Sequence, residues 1–126
     1  MKAIFGQSML AAETDFILKV SVESVYNQID NRQEAYPWHF TSGWVFLISV
    51  KMVEHIVGVD ARQLLGNVVT VRYRRANSME TVLTKQCSWQ AGQIRFEVPS
   101  VQADLWLDSI VGSDGVTRFV NAGLPT

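Results

Sequence analysis

The apolar residues of this chain change rhythm near Gly66. Before that point they recur at helical spacing. After it they alternate in short runs separated by turn signals. Ser8 offers a helix N-cap. Met9, Leu10, Phe16, Ile17 and Val20 form one stripe, and Leu18, Val22, Val25, Tyr26 and Ile29 form a second. Together they predict a helix over about residues 9–30. A strand competes over 14–22, because Phe16, Leu18, Val20 and Val22 also alternate and β-branched residues lie among them. Asp30-Asn31-Arg32-Gln33-Glu34 is a polar break. In Tyr36-Pro37-Trp38-His39-Phe40 the proline restricts itself and its predecessor, which predicts a loop or extended segment.

A second helix is expected over about 42–57. Lys51, Glu54, His55 and Gly58 fall on one helical face and only Ser49 falls elsewhere, while Trp44 to Ile48, Val50, Met52, Val53, Ile56 and Val57 fill the rest. A helix so apolar would be largely buried, with Thr41 or Ser42 at its start and Gly58 at its end. Asp60-Ala61-Arg62-Gln63 then resembles a capping box, which predicts a short helix over 61–65 ending at Gly66.

The period then becomes two. Val69, Val71 and Tyr73 alternate with Thr70, Arg72 and Arg74. Further strands are expected over Glu80 to Trp89, Ile94 to Val98, Leu105 to Asp108 and Val116 to Asn121. Turns lie at Ala76-Asn77-Ser78, Gln90-Ala91-Gly92 and Ser113-Asp114-Gly115, and Pro99-Ser100 breaks the third strand. The expected class is therefore α+β, with N-terminal helices (about 9–30, 42–57 and 61–65) packed on a C-terminal antiparallel meander of about five strands. Two packings fit this order. One is an open two-layer sandwich. The other is a sheet curved into a cone around the helices, which resembles the cystatin-like cone fold in element order alone and would leave an apolar cavity at its mouth.

Composition narrows the field. The 126 residues suit a single domain, 1–126, and 48% apolar with 18% charged supports a core without a disulfide or metal. Net charge is −1, and neither half is a polycation, so no nucleic-acid partner is expected. One cysteine, Cys87, excludes an internal disulfide and a cysteine metal cluster. A reducing, cytoplasmic setting is the simplest expectation. Met1 to Ala12 faintly resembles a signal peptide, but Gln7 and Ser8 break its apolar run and no small-x-small site follows. No run is long enough to span a membrane, so no membrane partner is expected.

Candidate chemistry is sparse. Tyr36, Trp38, His39, Phe40 and Trp44 could line an apolar ligand pocket. The ordinary explanation is aromatic packing on the core. His39 and His55 are the only histidines, and no metal-binding spacing joins them. No metal, cofactor or catalytic residue is assigned. Cys87 shares a strand face with Leu83 and Trp89 and reads as core. Asp104 and Asp108 would lie about 13 Å apart along one strand, beyond the roughly 10 Å of a glycosidase pair. Arg72, Arg74, Arg75 and Lys85 suggest a basic patch, with a solvated strand face as the plainer account.

The surplus of apolar positions points to association. The helix expected over 42–57 is apolar on more sides than one sheet can cover. Trp106 and Ile110 are expected opposite Leu105 and Leu107, which marks them as interface residues. The leading expectation is a small non-catalytic binding protein forming a homodimer or meeting another protein. The alternative is a binder of a small apolar ligand, or a small enzyme, built around the aromatic cluster.

Overall fold

The computed structural model describes residues 17–99 and 104–125, and it is mostly β. In chain order the elements are β1 (Val20–Asn27), β2 (Arg32–Glu34), β3 (His39–Phe40), β4 (Val45–Met52), α1 (Ala61–Leu65), β5 (Val69–Arg75), β6 (Ser78–Gln90), β7 (Gln93–Glu97), β8 (Leu105–Val111) and β9 (Thr117–Val120). All strand pairs are antiparallel, in the order β2-β1-β4-β7-β6-β5-β8-β3, and β9 also pairs with β8. The sheet curls into a half-barrel. The α+β class is therefore corrected: the helices expected over 9–30 and 42–57 do not pack on a sheet among the described residues, and α1, with Ala61 and Leu65 buried in the core, is the one helix there.

The first expected helix fails for a local reason. Residues 9–16 lie outside the described range, and the remainder contains β1. The β1–β4 register shifts between Val22 and Ser24. This bulge inserts a residue and resets the inward phase. Val20 and Val22 face the core before it, and Val25 and Asn27 after it. The resulting step of three from Val22 to Val25 imitates a helical spacing.

The second expected helix is β4. Val45, Phe46, Leu47 and Ile48 are all buried, as befits a strand flanked by β1 and β7 and covered on both faces. Its polar face was a coincidence of Lys51 in the strand with Glu54 and His55 in the turn beyond. Gly58 lies in that turn, beside an isolated bridge between Ile56 and Val59. Val57 is 87% exposed, far from the buried position a helix would have given it.

α1 forms as its sequence predicts. Gln63 N donates to Asp60 Oδ1 at 2.8 Å and Asp60 N donates to Gln63 Oε1 at 2.9 Å, satisfying two end groups reciprocally. Gly66 ends it at φ 82, a conformation only glycine adopts without strain.

The C-terminal strands occur near their expected positions, but they do not form a meander. β7-β6-β5 run in sequence, and β8 then crosses to the far side of β5. β8 carries its own irregularity. Arg72 pairs with Ser109 and Tyr73 with Leu107, which leaves Asp108 as the extra residue. The phase reset turns Ile110 to the core side with Leu105 and Leu107. Ile110 is fully buried in its own chain, so it does not lie on the outer face where an interface was expected.

The core is the inner face of the curl. Phe40 stacks on Phe46 at 4.3 Å, and Phe46, Phe96 and Tyr73 continue the aromatic row at 6.0 and 5.3 Å. Val25, Ile48, Val69, Val71, Ile94, Leu105 and Leu107 fill the spaces between. The curl brings β9 alongside the start of β1. No strand ladder joins them among the described residues; instead Arg118 Nη1 donates to Leu18 O at 3.1 Å across the seam. Among the described residues, no helix is long and apolar enough to cross a membrane.

Candidate functional site

The aromatic loop is held by one amide. Asn121 is buried, and its Nδ2 donates to Pro37 O at 2.9 Å and to Leu107 O at 2.8 Å. Its Oδ1 accepts from Gly123 N at 2.9 Å. The clamp ties the loop after β2 to β8 and to the C-terminal turn. Trp38 N donates to Ala35 O at 2.8 Å, and Trp38 adopts φ 60 so that the chain can turn into β3.

This arrangement separates the residues expected to line a pocket. Trp38 is buried edge-on to Phe119 at 5.9 Å, and Phe40 is fully buried on Phe46. Both are core. Tyr36 stands outside at 61% exposure, edge-on to Trp38. Trp44 is exposed at the entry to β4, where its carbonyl accepts from Val98 N at 2.9 Å. His39 and Trp106 meet across the β3–β8 pair. Their rings stack at 4.2 Å with planes 6° apart, and His39 Nε2 lies 2.5 Å from Asp104 Oδ1. The sequence signalled neither the Asp104 contact nor the stack, because the partners lie far apart in the chain.

The other candidates are accounted for by their partners. Asp108 accepts from Arg74 Nε at 2.8 Å, and Arg74 Nη1 donates to Met79 O at 2.7 Å. Arg72 donates to Thr117 Oγ1 at 3.4 Å. Tyr73 is in the core between these arginines. His55 is exposed in the turn after β4. Cys87 is buried, and burial pushes its thiol up to about 12, only partly opposed by a hydrogen bond from the Val71 backbone and by Lys85. A thiol so protonated is a poor nucleophile. Among the described residues, no group of His, Cys, Asp or Glu could hold a metal ion.

Two buried asparagines were not singled out by the sequence. Asn121 is the clamp above. Asn27, fully buried at the end of β1, donates through Nδ2 to Glu34 Oε2 at 2.9 Å and to Ser42 O at 3.0 Å, and its Oδ1 accepts from Asp30 N at 3.0 Å. Gly43 (φ 86) packs on it so closely that a Cβ would sit 2.5 Å from Oδ1. An asparagine just before a turn is ordinary in sequence, so nothing marked either one as buried.

The least satisfied part of the sheet is β6. It pairs with β5 over Leu83–Cys87 and again at Ser78, with a register shift that leaves Met79–Val82 opposite Arg74 alone, and with β7 only over Ser88–Gln90. From Met79 to Gln86 its second edge meets no strand among the described residues. The Ala91–Gly92 turn, with φ 51 and 81, is a two-residue hairpin connection and makes Gln90 and Gln93 a hydrogen-bonded pair. Alternation along the regular part of the strand then aims the N–H and C=O of Gln86 and Thr84 at the open edge. Val82 is 41% exposed there. No protein-family model matches this chain, and no curated protein or solved structure matches it at a significant level.

Proposed function

We propose that this chain is a non-catalytic interaction protein that self-associates by pairing the open edge of β6 with β6 of a second copy. The supporting observation is the unpaired Met79–Gln86 edge. Unpaired strand edges are templates for another strand. Two copies related by a two-fold axis centred on Leu83 would oppose Val82 to the partner subunit's Thr84 and Glu80 to the partner subunit's Gln86. That register uses the outward-aimed Thr84 and Gln86 of each copy and puts Thr81 opposite the partner subunit's Lys85. No like charges face each other, which an isologous contact requires. Lys85 is exposed on the strand face it shares with Leu83 and Cys87, and such an edge lysine disfavours indiscriminate stacking of further copies.

Light scattering across micromolar concentrations tests the reading. The wild type is expected to run as a dimer. Thr84→Pro removes an N–H aimed at the open edge and leaves the β5 ladder intact, so it is expected to run as a folded monomer. A strictly monomeric wild type, or a dimer unaffected by Thr84→Pro, overturns the proposal.

A further inference from the structure

We infer that the cleft at the β1–β9 seam binds a small organic carboxylate with an apolar body. This inference is independent of β6 pairing. The cleft holds about 260 Å³, and its walls include Val20, Val53, Phe119 and Val120. It is smaller than the usual drug-sized pocket of roughly 300–1,000 Å³, which sets the ligand at a few carbons beyond the carboxylate.

The chemistry follows from two orphaned atoms. Among the described residues, Ser21 Oγ and Arg118 Nε are the buried side-chain nitrogen or oxygen atoms with no hydrogen-bond partner. Both residues line this one cleft. A buried polar group left unmade costs about 1–3 kcal/mol, so two in residues lining one cleft favour an occupant there. Arg118 is already fixed on its other nitrogens. Nη1 donates to Leu18 O at 3.1 Å and Nη2 donates to Asp114 Oδ2 at 2.9 Å. Nε is thus the guanidinium nitrogen left without an acceptor, and because its surface is covered a ligand meets it only as the cleft wall shifts.

Nε–H can only donate, and a serine hydroxyl donates equally well. An acceptor with two adjacent oxygens answers both, and a carboxylate is such a group. Charge agrees. Asp114 offsets one of the two cations, Arg118 and Lys19, which leaves a single positive charge for a monoanion. Apolar walls select against inorganic anions, which would lose hydration there without return.

Octanoate, benzoate and the neutral control octan-1-ol, titrated into the full chain and followed by NMR, test the site. Octanoate or benzoate is expected to shift the Arg118 Nε–H resonance saturably, together with the amides of Lys19, Val20 and Phe119, at roughly millimolar affinity or better. Octan-1-ol is expected to bind at least about tenfold more weakly. Ser21→Ala deletes an already unpaired hydroxyl and leaves the fold intact, yet it is expected to weaken carboxylate binding about tenfold. Arg118→Lys keeps a charge but removes the Nε donor and is expected to weaken it similarly. Absence of a saturable shift, equal response to octan-1-ol, or no effect of Ser21→Ala overturns the inference.

Discussion

His39 lies flat on Trp106, with ring centroids 4.2 Å apart, while its Nε2 faces Asp104 at 2.5 Å. Asp104 holds this position at φ 72, a left-handed conformation that strains a side-chain-bearing residue. Two opposing effects therefore meet at one residue. The exposed His39–Asp104 hydrogen bond stabilises by roughly 0.5–1.5 kcal/mol, and relief of the backbone by glycine is worth about as much. Asp104→Gly is expected to leave the urea midpoint nearly unchanged. Asp104→Ala loses the pair without relieving the backbone and is expected to lower it.

Asn121 carries more than its size suggests, because three elements meet on its amide. Asn121→Ala leaves Pro37 O and Leu107 O without their donor in a buried place. A loss of about 2–4 kcal/mol is expected from chemical denaturation. Trp38, one residue from the clamp, is expected to report the loosening as a change in fluorescence. Asn121→Asp keeps the shape but not the donors, so it is expected to be at least as damaging.

Phe46 and Val57 separate the observed β4 from the helix that their spacing suggests. Phe46 is fully buried between Phe40 and Phe96, and Val57 is exposed in a turn. Phe46→Ala is expected to cost about 3–5 kcal/mol. Val57→Asp is expected to change stability by less than about 0.5 kcal/mol. Equal, large losses at both positions would contradict the turn beyond β4.

Cys87 gives a pH signature. Its thiol is pushed from 9.0 up to about 12, first by burial. The folded state therefore holds a proton that the unfolded chain releases above pH 9. The stability tied to this group is complete below pH 9 and is lost as pH rises from about 9 to about 12. Alkaline denaturation is expected to steepen over that window, and Cys87→Ala is expected to lessen the slope. Native protein is expected to react with thiol reagents far more slowly at neutral pH than unfolded protein does.

Much of the C-terminal half was legible. Val69, Val71 and Tyr73 face one side because a regular strand repeats every two residues. The Asp60–Gln63 cap was legible too, since it depends only on residues three apart. What misled was the bulge. At Val22 to Val25 and again at Leu107 to Ile110, an inserted residue moves the next inward position by three rather than two. That step is also the signature of a helix. The first instance hid a strand, and the second placed Ile110 on the wrong face. β4 was hidden differently, because a strand buried on both faces has no alternation to read. The His39–Asp104 contact and the β6 edge depend on pairing order, which local spacing does not encode.

Hydrogen–deuterium exchange of the Met79–Gln86 segment, measured at low and high protein concentration, reaches the self-association account most directly. Pairing between copies predicts that the amides aimed at the open edge, Thr84 and Gln86 first, become markedly more protected at high concentration, with β4 amides unchanged. Protection on β6 that is independent of concentration would contradict it.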